Sequence, residues 1–229
     1  MFRSCSHCSN HEAGSCGYWW PRGLERLHNG MKPFSGRRGD YVGPGLKEDV
    51  NHICIVSMGT ARIVTVRRDG TETLIAFVRR GEIGVLRNAD VGGIYAVALE
   101  DFRMCVFDPK EFLRNAELAG FPDWLHRAHL RQLQMAQIRT ALLDIAQADD
   151  RLAGFLLFEG QHFQQAQTEL VRLPYSRDEI GAYLHLSSAT VSRSFTRLEA
   201  KGMIACVSPR CFRRSDHRDW ERISNFVDS

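Results

Sequence analysis

The segment from residue 176 to residue 204 constrains the fold of this 229-residue chain more than any other part. Ser176 precedes Glu179 by three positions, which is the spacing of a capping box at the start of a helix. The glycine at position 202 is typical of the end of a second helix. The pattern predicts two short helices joined by a tight turn, over residues 177–184, 185–187 and 188–201.

The second of these helices carries small polar residues and arginines. Six basic residues lie between positions 188 and 214 against one acid, Glu199, although the whole chain has a formal net charge of only +3. Such a local excess is expected where phosphates are bound. A helix of this kind fits the DNA major groove. The residues predicted to contact DNA are Ser188, Thr190, Ser192, Arg193 and Arg197.

Two of these residues have a more specific expected role. We expect Arg193 to donate two hydrogen bonds to a guanine, a contact that contributes ~1–3 kcal/mol of discrimination between bases. Arg197 is expected to contact a phosphate or to remain solvated.

Short segments of strand-like sequence occupy much of residues 34–108. Asp69 and Gly70 form a hairpin-turn signal between two of these segments. Strands at such regular spacing predict an antiparallel roll or barrel. The predicted strands cover residues 52–57, 60–67, 72–78, 94–99 and 102–107. A short strand at 170–174 and a hairpin over 203–213 would give the two-helix motif a wing.

A long helix is predicted between these two regions, from about residue 122 to residue 147, followed by a second helix over 151–163. At 1.5 Å per residue the first would span nearly ~40 Å. Its apolar residues recur at coiled-coil spacing, with Arg131 as the one odd member. Such a helix could pack on its own domain, but its length favours a dimer seam. The seam residues are Ala128, Met135, Ile138, Leu142 and Ile145.

These elements together predict an α+β chain. It would consist of an N-terminal antiparallel β-roll of the cupin-like jelly-roll type, a long dimerisation helix and a C-terminal winged helix-turn-helix. A cysteine-rich segment precedes the roll. The predicted boundaries are residues 1–20 for that segment, 21–118 for the roll, 119–148 for the helix and 149–229 for the winged motif.

Seven cysteines make an odd count for a pure disulfide framework. Cys5, Cys8 and Cys16 are clustered, and Cys105 lies far downstream. No apolar run approaches the ~18–20 residues of a membrane span, and the N-terminus has no signal-peptide core. We therefore expect a cytoplasmic protein with no membrane association, where clustered cysteines more often hold a metal than each other.

The order of β-roll, long helix and winged helix-turn-helix resembles the CRP/FNR family of bacterial transcription regulators. The resemblance extends from about Leu24 to the end of the chain. It is strongest at residues 178–184 and 190–193, and is also found at residues 59–60, 81–84 and 149–152. It implies a homodimer that binds a palindromic operator in double-stranded DNA, contacts RNA polymerase and has no enzymatic activity.

The resemblance also bears on the signal that is sensed. Cyclic-nucleotide-binding members carry a glutamate just after a Gly-Glu-x-x-Gly stretch, and an Arg-Ser pair a few residues later. Here Gly84 is followed by Val85 and Leu86, and residues 88–93 contain no Arg-Ser pair. A buried phosphate without such partners is costly, so no cyclic nucleotide is expected.

FNR-type members hold an oxygen-labile [4Fe–4S] cluster with three N-terminal cysteines and one cysteine in the roll. Cys5, Cys8 and Cys16 match the first set, and Cys105 matches the distant ligand. The second gap has seven residues here and five in FNR proper; the longer gap resembles that of other FNR-type regulators. The resemblance implies oxygen or redox sensing through a [4Fe–4S] cluster that controls dimerisation and promoter binding for anaerobic gene expression.

Other sensors remain open. Cys5, Cys8 and Cys16 with His7 or His11 would also satisfy a tetrahedral zinc site. A metal-free thiol switch, haem and nitric oxide are further alternatives. An iron–sulfur electron carrier or enzyme lacks support, because the sequence holds no second cluster motif, nucleotide loop or catalytic constellation.

The remaining cysteines are not needed by any of these sensors. Cys54 is expected in the core. Cys206 and Cys211 flank the wing turn, and a disulfide between them is not expected in a reducing compartment.

Two positions in the helix-turn-helix depart from the family's pattern. At Ala189, FNR and CRP carry a glutamate that accepts a hydrogen bond from cytosine; alanine cannot accept one, and it could meet a thymine methyl instead. At His185 a glycine is common, and histidine costs some backbone energy if the φ angle there is positive.

Overall fold

The structure is a computed structural model that describes residues 31–110 except 44 and 91, residues 121–163, and residues 170–223 except 217 and 222. The chain divides into two compact units, residues 1–133 and 134–229. This boundary falls inside the long helix, so that each unit contains part of it. None of the helices in the described ranges is long and apolar enough to cross a membrane.

The first unit contains an eight-stranded sheet in which every pairing between strands is antiparallel. The strand order is β1-β8-β3-β6-β7-β4-β5, with β2 paired to β7. The predicted antiparallel roll is therefore confirmed. The strands are β1 Met31–Gly36, β2 Tyr41–Val42, β3 Asn51–Met58, β4 Thr60–Val66, β5 Glu72–Arg79, β6 Ile83–Arg87, β7 Gly93–Ala98 and β8 Phe102–Phe107.

Five of these strands correspond to predicted ones, whereas β1, β2 and β6 were not predicted. Pro33 interrupts the strand pattern of β1, but β1 lies at one end of the strand order, where a missing N–H is tolerated. The β2 strand has only two residues. The β6 strand pairs with β3, about thirty residues earlier in the chain, and such non-local pairing leaves little local signal.

Alternate residues of the strands form the core of this unit. On β3 they are Cys54 and Val56, and on β8 they are Phe102, Met104 and Val106, all between 0% and 1% exposed. The β3–β4 turn passes close to the loop that precedes β8. Gly59 has a φ of 76°, and a Cβ there would lie 2.3 Å from the carbonyl oxygen of Asp101. Only glycine fits at this turn.

The predicted hairpin between β4 and β5 is also confirmed. Arg67 N–H donates to the carbonyl of Thr71, and Gly70 N–H donates to the carbonyl of Arg67, both at 3.0 Å. The Asp69 carboxylate accepts from Thr71 N–H at 2.9 Å. That hydrogen bond stabilises the charged form and lowers the pKa of Asp69.

The second unit holds the winged helix-turn-helix, and the C-terminal part of α1 belongs to it. A three-stranded sheet of order β10-β11-β9 forms the wing, as predicted. The elements are α1 Phe121–Asp144, α2 Ala148–Phe163, β9 Leu170–Arg172, α3 Arg177–Leu184, α4 Ser188–Ala200, β10 Ile204–Ser208 and β11 Cys211–Arg214.

The junction between the first two helices differs from the prediction. The α2 helix begins at Ala148 rather than Arg151, so Asp149 and Asp150 lie in its first turn. Carboxylates are favourable there because the helix dipole is positive at its N-terminus. Since α1 ends at Asp144, Ile145 lies outside the helix to which it was assigned.

Aromatic side chains form much of the core of the second unit. The ring of Phe155 on α2 lies 5.9 Å from that of Tyr175 and 5.6 Å from that of Tyr183. The Tyr175 hydroxyl donates to the buried Glu159 carboxylate at 2.8 Å. This packing holds α3 against α2, because Tyr175 precedes α3 and Tyr183 lies on it.

Candidate functional site

The first helix of the motif, α3, begins with the predicted capping box. Ser176 Oγ accepts a hydrogen bond from Glu179 N–H at 3.2 Å, and the Glu179 carboxylate accepts in return from Ser176 N–H. The two side chains therefore satisfy backbone donors that the first turn of a helix leaves unpaired.

The turn between the helices closes on a glycine of α3. His185 has a φ of 54°, in the left-handed region, and its N–H donates to the carbonyl of Gly181. Leu186 N–H donates to the same carbonyl at 2.9 Å. A Cβ on Gly181 would lie 2.5 Å from the carbonyl oxygen of Leu186, so any larger residue collides with backbone. The expected backbone cost at His185 is thus present.

The second helix, α4, separates a buried side from an exposed side. Ser187 caps it, accepting from Thr190 N–H at 3.0 Å. Its buried residues are Val191, Ser194, Phe195 and Leu198. The exposed residues that follow the helical period from its N-terminus are Ala189, Ser192, Arg193 and Thr196. We call these four the recognition face.

The predicted DNA-contacting residues fall into two groups. Ser192 and Arg193 are exposed on the recognition face, and Ser188 and Thr190 are half-buried beside it. Thr190 Oγ1 lies 2.8 Å from Ser187 Oγ and accepts from the Arg193 guanidinium at 3.3 Å. These hydrogen bonds restrain the Arg193 side chain in the absence of DNA. The roles of these four residues in DNA binding stay predictions.

Arg197 forms an ion pair within the chain. Its Nε and Nη2 donate to the two carboxylate oxygens of Asp149 at 2.7 Å each, and Nη2 also donates to Ser194 Oγ at 3.2 Å. The ion pair lowers the pKa of Asp149, because the guanidinium stabilises its charged form. Arg197 is therefore not merely solvated, because it joins α4 to the first turn of α2. Its predicted contact with a phosphate stays a prediction.

Two further arginines position the motif, and neither role was predicted from the sequence. The α3 helix has no basic residue in its last turn. Arg139 of α1 donates to the carbonyl of Tyr183 at 3.2 Å, and Arg151 of α2 donates to that of Leu184 at 3.0 Å. Arg151 also donates twice to the carbonyl of Ile145, at 2.9 and 2.7 Å. Cationic side chains from two other helices thus satisfy the carbonyl end of α3.

The start of α3 packs on the recognition helix through a cation–π contact. The Arg177 guanidinium lies 3.1 Å from the centre of the Phe195 ring. Burial lowers the pKa of Arg177 to about 10, so the side chain is still protonated at neutral pH. The contact is internal to the motif.

The wing cysteines lie on opposite faces of their sheet. Cys206 is paired with Phe212, and Cys211 is paired with Ser208 across a bulge. Opposed residues in an antiparallel pair project to one face, and successive residues alternate. Cys206 and Phe212 thus share one face, while Cys211 projects to the other. The two thiols are not joined in a disulfide.

The Cys206 thiol is also poorly suited to redox chemistry. Burial and the nearby Glu199 carboxylate raise its pKa, against a smaller opposing effect of Arg177. A thiol with a raised pKa is a weak nucleophile at neutral pH, which disfavours a thiol switch in the wing. Glu199 has a structural role here, because its Oε1 accepts from Cys206 N–H at 2.8 Å.

Of the four predicted cluster ligands, Cys105 lies within the described residues. It is 6% exposed and lies in β8 between Ile55 of β3 and Pro33 of β1. Its chain neighbours Met104 and Val106 belong to the core, so Cys105 projects to the opposite face of the sheet. We call that face the outer face.

The outer face is apolar and buried on one side of Cys105, whereas Arg103, two residues earlier on β8, is exposed. Phe107 follows two residues later on the same strand and is 4% exposed. Ile55 and Ile83 are paired across β3 and β6, and both are buried. A thiol on a strand that is paired on both sides, and that is 6% exposed, has the fixed position and low water access that suit a soft metal ligand.

Cys54 differs from Cys105 in facing the core. It is 0% exposed, and burial raises its pKa to about 12. The prediction that Cys54 is a small core residue is confirmed.

The other predicted ligands, Cys5, Cys8 and Cys16, and the alternative zinc ligands His7 and His11, lie outside the described residues. Within residues 31–110, 121–163 and 170–223, leaving out the four gaps, no group of three or more His, Cys, Asp or Glu side chains is arranged to hold a metal ion. The metal site therefore stays a prediction.

The predicted dimer seam is corrected at Leu142, and Ile145 lies outside the helix to which it was assigned. Ala128, Met135 and Ile138 are each partly exposed, and their role in dimerisation stays a prediction. Leu142 is 0% exposed within the single chain, so it belongs to the core of the second unit and no second copy can contact it. Leu142 was assigned to the seam because the seven-residue spacing of apolar residues extends into the part of α1 that packs on its own unit.

Comparison with known proteins agrees with this architecture. Residues 150–222 match the Crp-like helix-turn-helix domain. The chain is 27% identical over 218 residues to the transcriptional activatory protein AadR of Rhodopseudomonas palustris, covering 90% of this chain and 87% of that protein. It is 30% identical over 195 residues to the nitrogen fixation regulation protein FixK of Rhizobium meliloti, covering 81% and 87%.

Solved structures show the same fold. The structure of FixK2 from Bradyrhizobium japonicum superposes with a TM-score of 0.68 at 23% identity, covering 86% of this chain and 96% of that one. The relatives are transcription regulators and not enzymes, as the sequence predicted. On these grounds the chain belongs to the CRP/FNR family of DNA-binding transcription regulators.

Proposed function

We propose that this chain is an FNR-type regulator: a homodimer that binds a palindromic operator under the control of a [4Fe–4S] cluster held by Cys5, Cys8, Cys16 and Cys105. The main support is that Cys105 is a buried thiol on the outer face of the roll, in the same chain as a polar recognition face on α4. Each feature suits one half of such a sensor.

The DNA-binding half rests on α4. Its N-terminus has no acidic residue in the first turn, so the positive end of the helix dipole is not neutralised there by a carboxylate of the helix. Inserted in the major groove, Arg193 would donate two hydrogen bonds to guanine and Ser192 would contact a neighbouring base. Ser188 and Thr190 would contact base edges or phosphate.

Two copies are needed for a palindromic operator. Half-sites one helical turn, or ~34 Å, apart are bound by the two recognition helices of a dimer. The partly exposed α1 residues Ala128, Met135 and Ile138 supply an apolar surface for a second copy. Activation would then require a contact with RNA polymerase.

The sensing half rests on the cysteines. A [4Fe–4S] cluster bound by four thiolates would supply chemistry that responds to oxygen or to nitric oxide. Cys105 would offer its thiolate from a rigid strand, and Ile55, Ile83 and Phe107 would limit access of water to it. Cys5, Cys8 and Cys16 are close enough in sequence to bind the same group.

Metal analysis tests the cluster. We expect protein purified without oxygen to be brown and to contain about four iron and four sulfide per chain, the stoichiometry of the cubane. Cys105→Ser should lose most of this iron, whereas Cys54→Ala, a matched change of a buried cysteine on the neighbouring strand, should keep it. Equal iron content in the two variants would overturn the assignment of Cys105.

DNA binding by the same preparations tests the link between the two halves. We expect operator affinity, measured by fluorescence anisotropy, to fall when the protein is exposed to air. Arg193→Ala should weaken operator binding by about 5- to 150-fold, which corresponds to ~1–3 kcal/mol. Unchanged affinity in air would remove the sensing proposal and leave the DNA-binding proposal standing.

Zinc is the second candidate for the sensor. The specific observation in its favour is that His7 and His11 lie among the three N-terminal cysteines, so that Cys5, Cys8 and Cys16 with either histidine supply four ligands of the right type in one short segment. A colourless protein with one zinc per chain, retained in Cys105→Ser, would support it against the cluster.

A further inference from the structure

The first position of the recognition face is an alanine. Ala189 is exposed in the first turn of α4, and Ser192 and Arg193 are exposed three and four residues later. Residues at this spacing lie side by side on a helix, so the three side chains share one face. If Arg193 reaches a guanine, Ala189 reaches a base pair close to it in the same groove.

Ala189 has no side-chain hydrogen-bonding group, and no carboxylate in the first turn of α4 takes the place of one. Ser187 Oγ and Thr190 Oγ1 lie 2.8 Å apart and bond each other. Glu199 is nearly three turns away, and its Oε1 accepts from Cys206 N–H at 2.8 Å. At this point of the face the helix therefore presents a methyl group.

A methyl group in the major groove distinguishes pyrimidines by their C5 substituent. Thymine carries a C5 methyl group that packs against alanine, whereas cytosine has hydrogen at C5 and an N4 amino group that needs an acceptor. 5-Methylcytosine combines that amino group with the methyl group of thymine. Comparing the binding of thymine, cytosine and 5-methylcytosine therefore distinguishes an apolar contact with the methyl group from a hydrogen bond with the amino group.

We infer that Ala189 recognises the C5 methyl group of a pyrimidine, so that the operator carries thymine at one position beside the guanine bound by Arg193. By the same contact, 5-methylcytosine substitutes for this thymine better than cytosine does. The inference rests on the proposed function of α4, and it adds the identity of the chemical group that is bound.

The experiment starts from the full chain, purified and kept without oxygen, and a random DNA library, from which operator sequences are selected. Each thymine of the selected half-site is then replaced in turn by deoxyuridine, which removes the methyl group and nothing else. At one position we expect a two- to fourfold loss of affinity per half-site, the effect of one buried methyl group. Cytosine at that position should bind more weakly than 5-methylcytosine.

Two alanine-to-glycine variants assign the effect to the residue. In Ala189→Gly the deoxyuridine penalty should disappear at that position and remain elsewhere. Ala200→Gly makes the same change at an exposed alanine at the other end of α4 and should keep the full penalty. Thermal unfolding of both variants measures how much stability is lost when glycine replaces alanine in the helix.

A third variant reverses the preference. Ala189→Glu introduces an acceptor for the N4 amino group, so it should favour cytosine over thymine at the same position. A penalty that persists in Ala189→Gly, or a half-site with no position sensitive to deoxyuridine, would overturn the inference alone. Failure to select any sequence would overturn it together with the DNA-binding proposal.

Discussion

Arg197 and Asp149 form a bidentate ion pair between the recognition helix and the first turn of α2, with both N–O distances at 2.7 Å. The two residues are 48 positions apart in sequence. The pair fixes the rotation of α4 at the turn that follows Arg193. It thereby links the residue expected to bind a base to the helix that carries the motif.

Breaking this pair should weaken operator binding. Asp149→Asn keeps the shape of the side chain but removes its charge, so α4 loses one restraint. Asp178→Asn removes an exposed carboxylate from the first turn of α3 and is the matched control for the helix-dipole effect. We expect the first variant to bind the operator more weakly in anisotropy titrations and the second to bind normally; stronger binding by Asp149→Asn would show that Arg197 is a phosphate contact instead.

The same pair predicts a pH dependence. Because Arg197 lowers the pKa of Asp149 in the folded protein, the contribution to stability is fully present above the ordinary value of 3.8. It is lost as the pH falls below that value and the folded-state carboxylate becomes protonated. Urea unfolding of the wild type and of Asp149→Asn between pH 3 and pH 6 should give curves that converge at the acid end.

Glycine at position 181 is required by close backbone contact. Gly181→Ala places a Cβ 2.5 Å from the carbonyl of Leu186, and we expect it to lower the free energy of unfolding by about 1–3 kcal/mol. Gly160 on α2 is the control, because a Cβ there meets Val171 at an ordinary 3.8 Å. Gly160→Ala should be neutral or stabilise by up to ~1 kcal/mol through helix propensity. Similar losses in both variants would contradict the close-contact argument.

The core cysteine should make stability fall at high pH. The pKa of Cys54 is raised to about 12 in the folded chain, against an ordinary 9.0. Between these values the unfolded chain releases the thiol proton and the folded chain keeps it, so each pH unit costs about 1.4 kcal/mol. Unfolding measured at pH 8 and pH 10 should show a smaller fall for Cys54→Ala than for the wild type.

The α1 surface allows a matched test of dimerisation. Ile138 is half-buried on the predicted seam, whereas its neighbour Gln137 is exposed. Ile138→Glu should turn the dimer into a monomer, because a carboxylate would be buried without a partner at the interface. Gln137→Glu adds the same charge to the same helix and should leave the dimer intact. Light scattering after size-exclusion chromatography distinguishes the two; dimers of both variants would exclude this face.

The elements that could be predicted are those with local signals. The capping box of Ser176 and Glu179, the turn at Asp69 and Gly70, and the buried stripe of α4 depend on residues within one or two turns of each other. The strands β3 and β8 could be predicted from short apolar runs, because most residues on both of their faces are buried. β1 and β6 escaped prediction because Pro33 interrupts the pattern of the first and the second has only five residues.

The sequence by itself determined the two-helix motif, the roll and the polar face that carries Ser192 and Arg193, because periodicity and capping act over a few residues. Only the tertiary structure decided that Arg197 belongs to Asp149, that Leu142 lies in the core, and that Cys54 and Cys105 face opposite sides of one sheet. These outcomes depend on which distant segments meet. A charge or an apolar side chain has no partner of its own until folding brings one within contact distance.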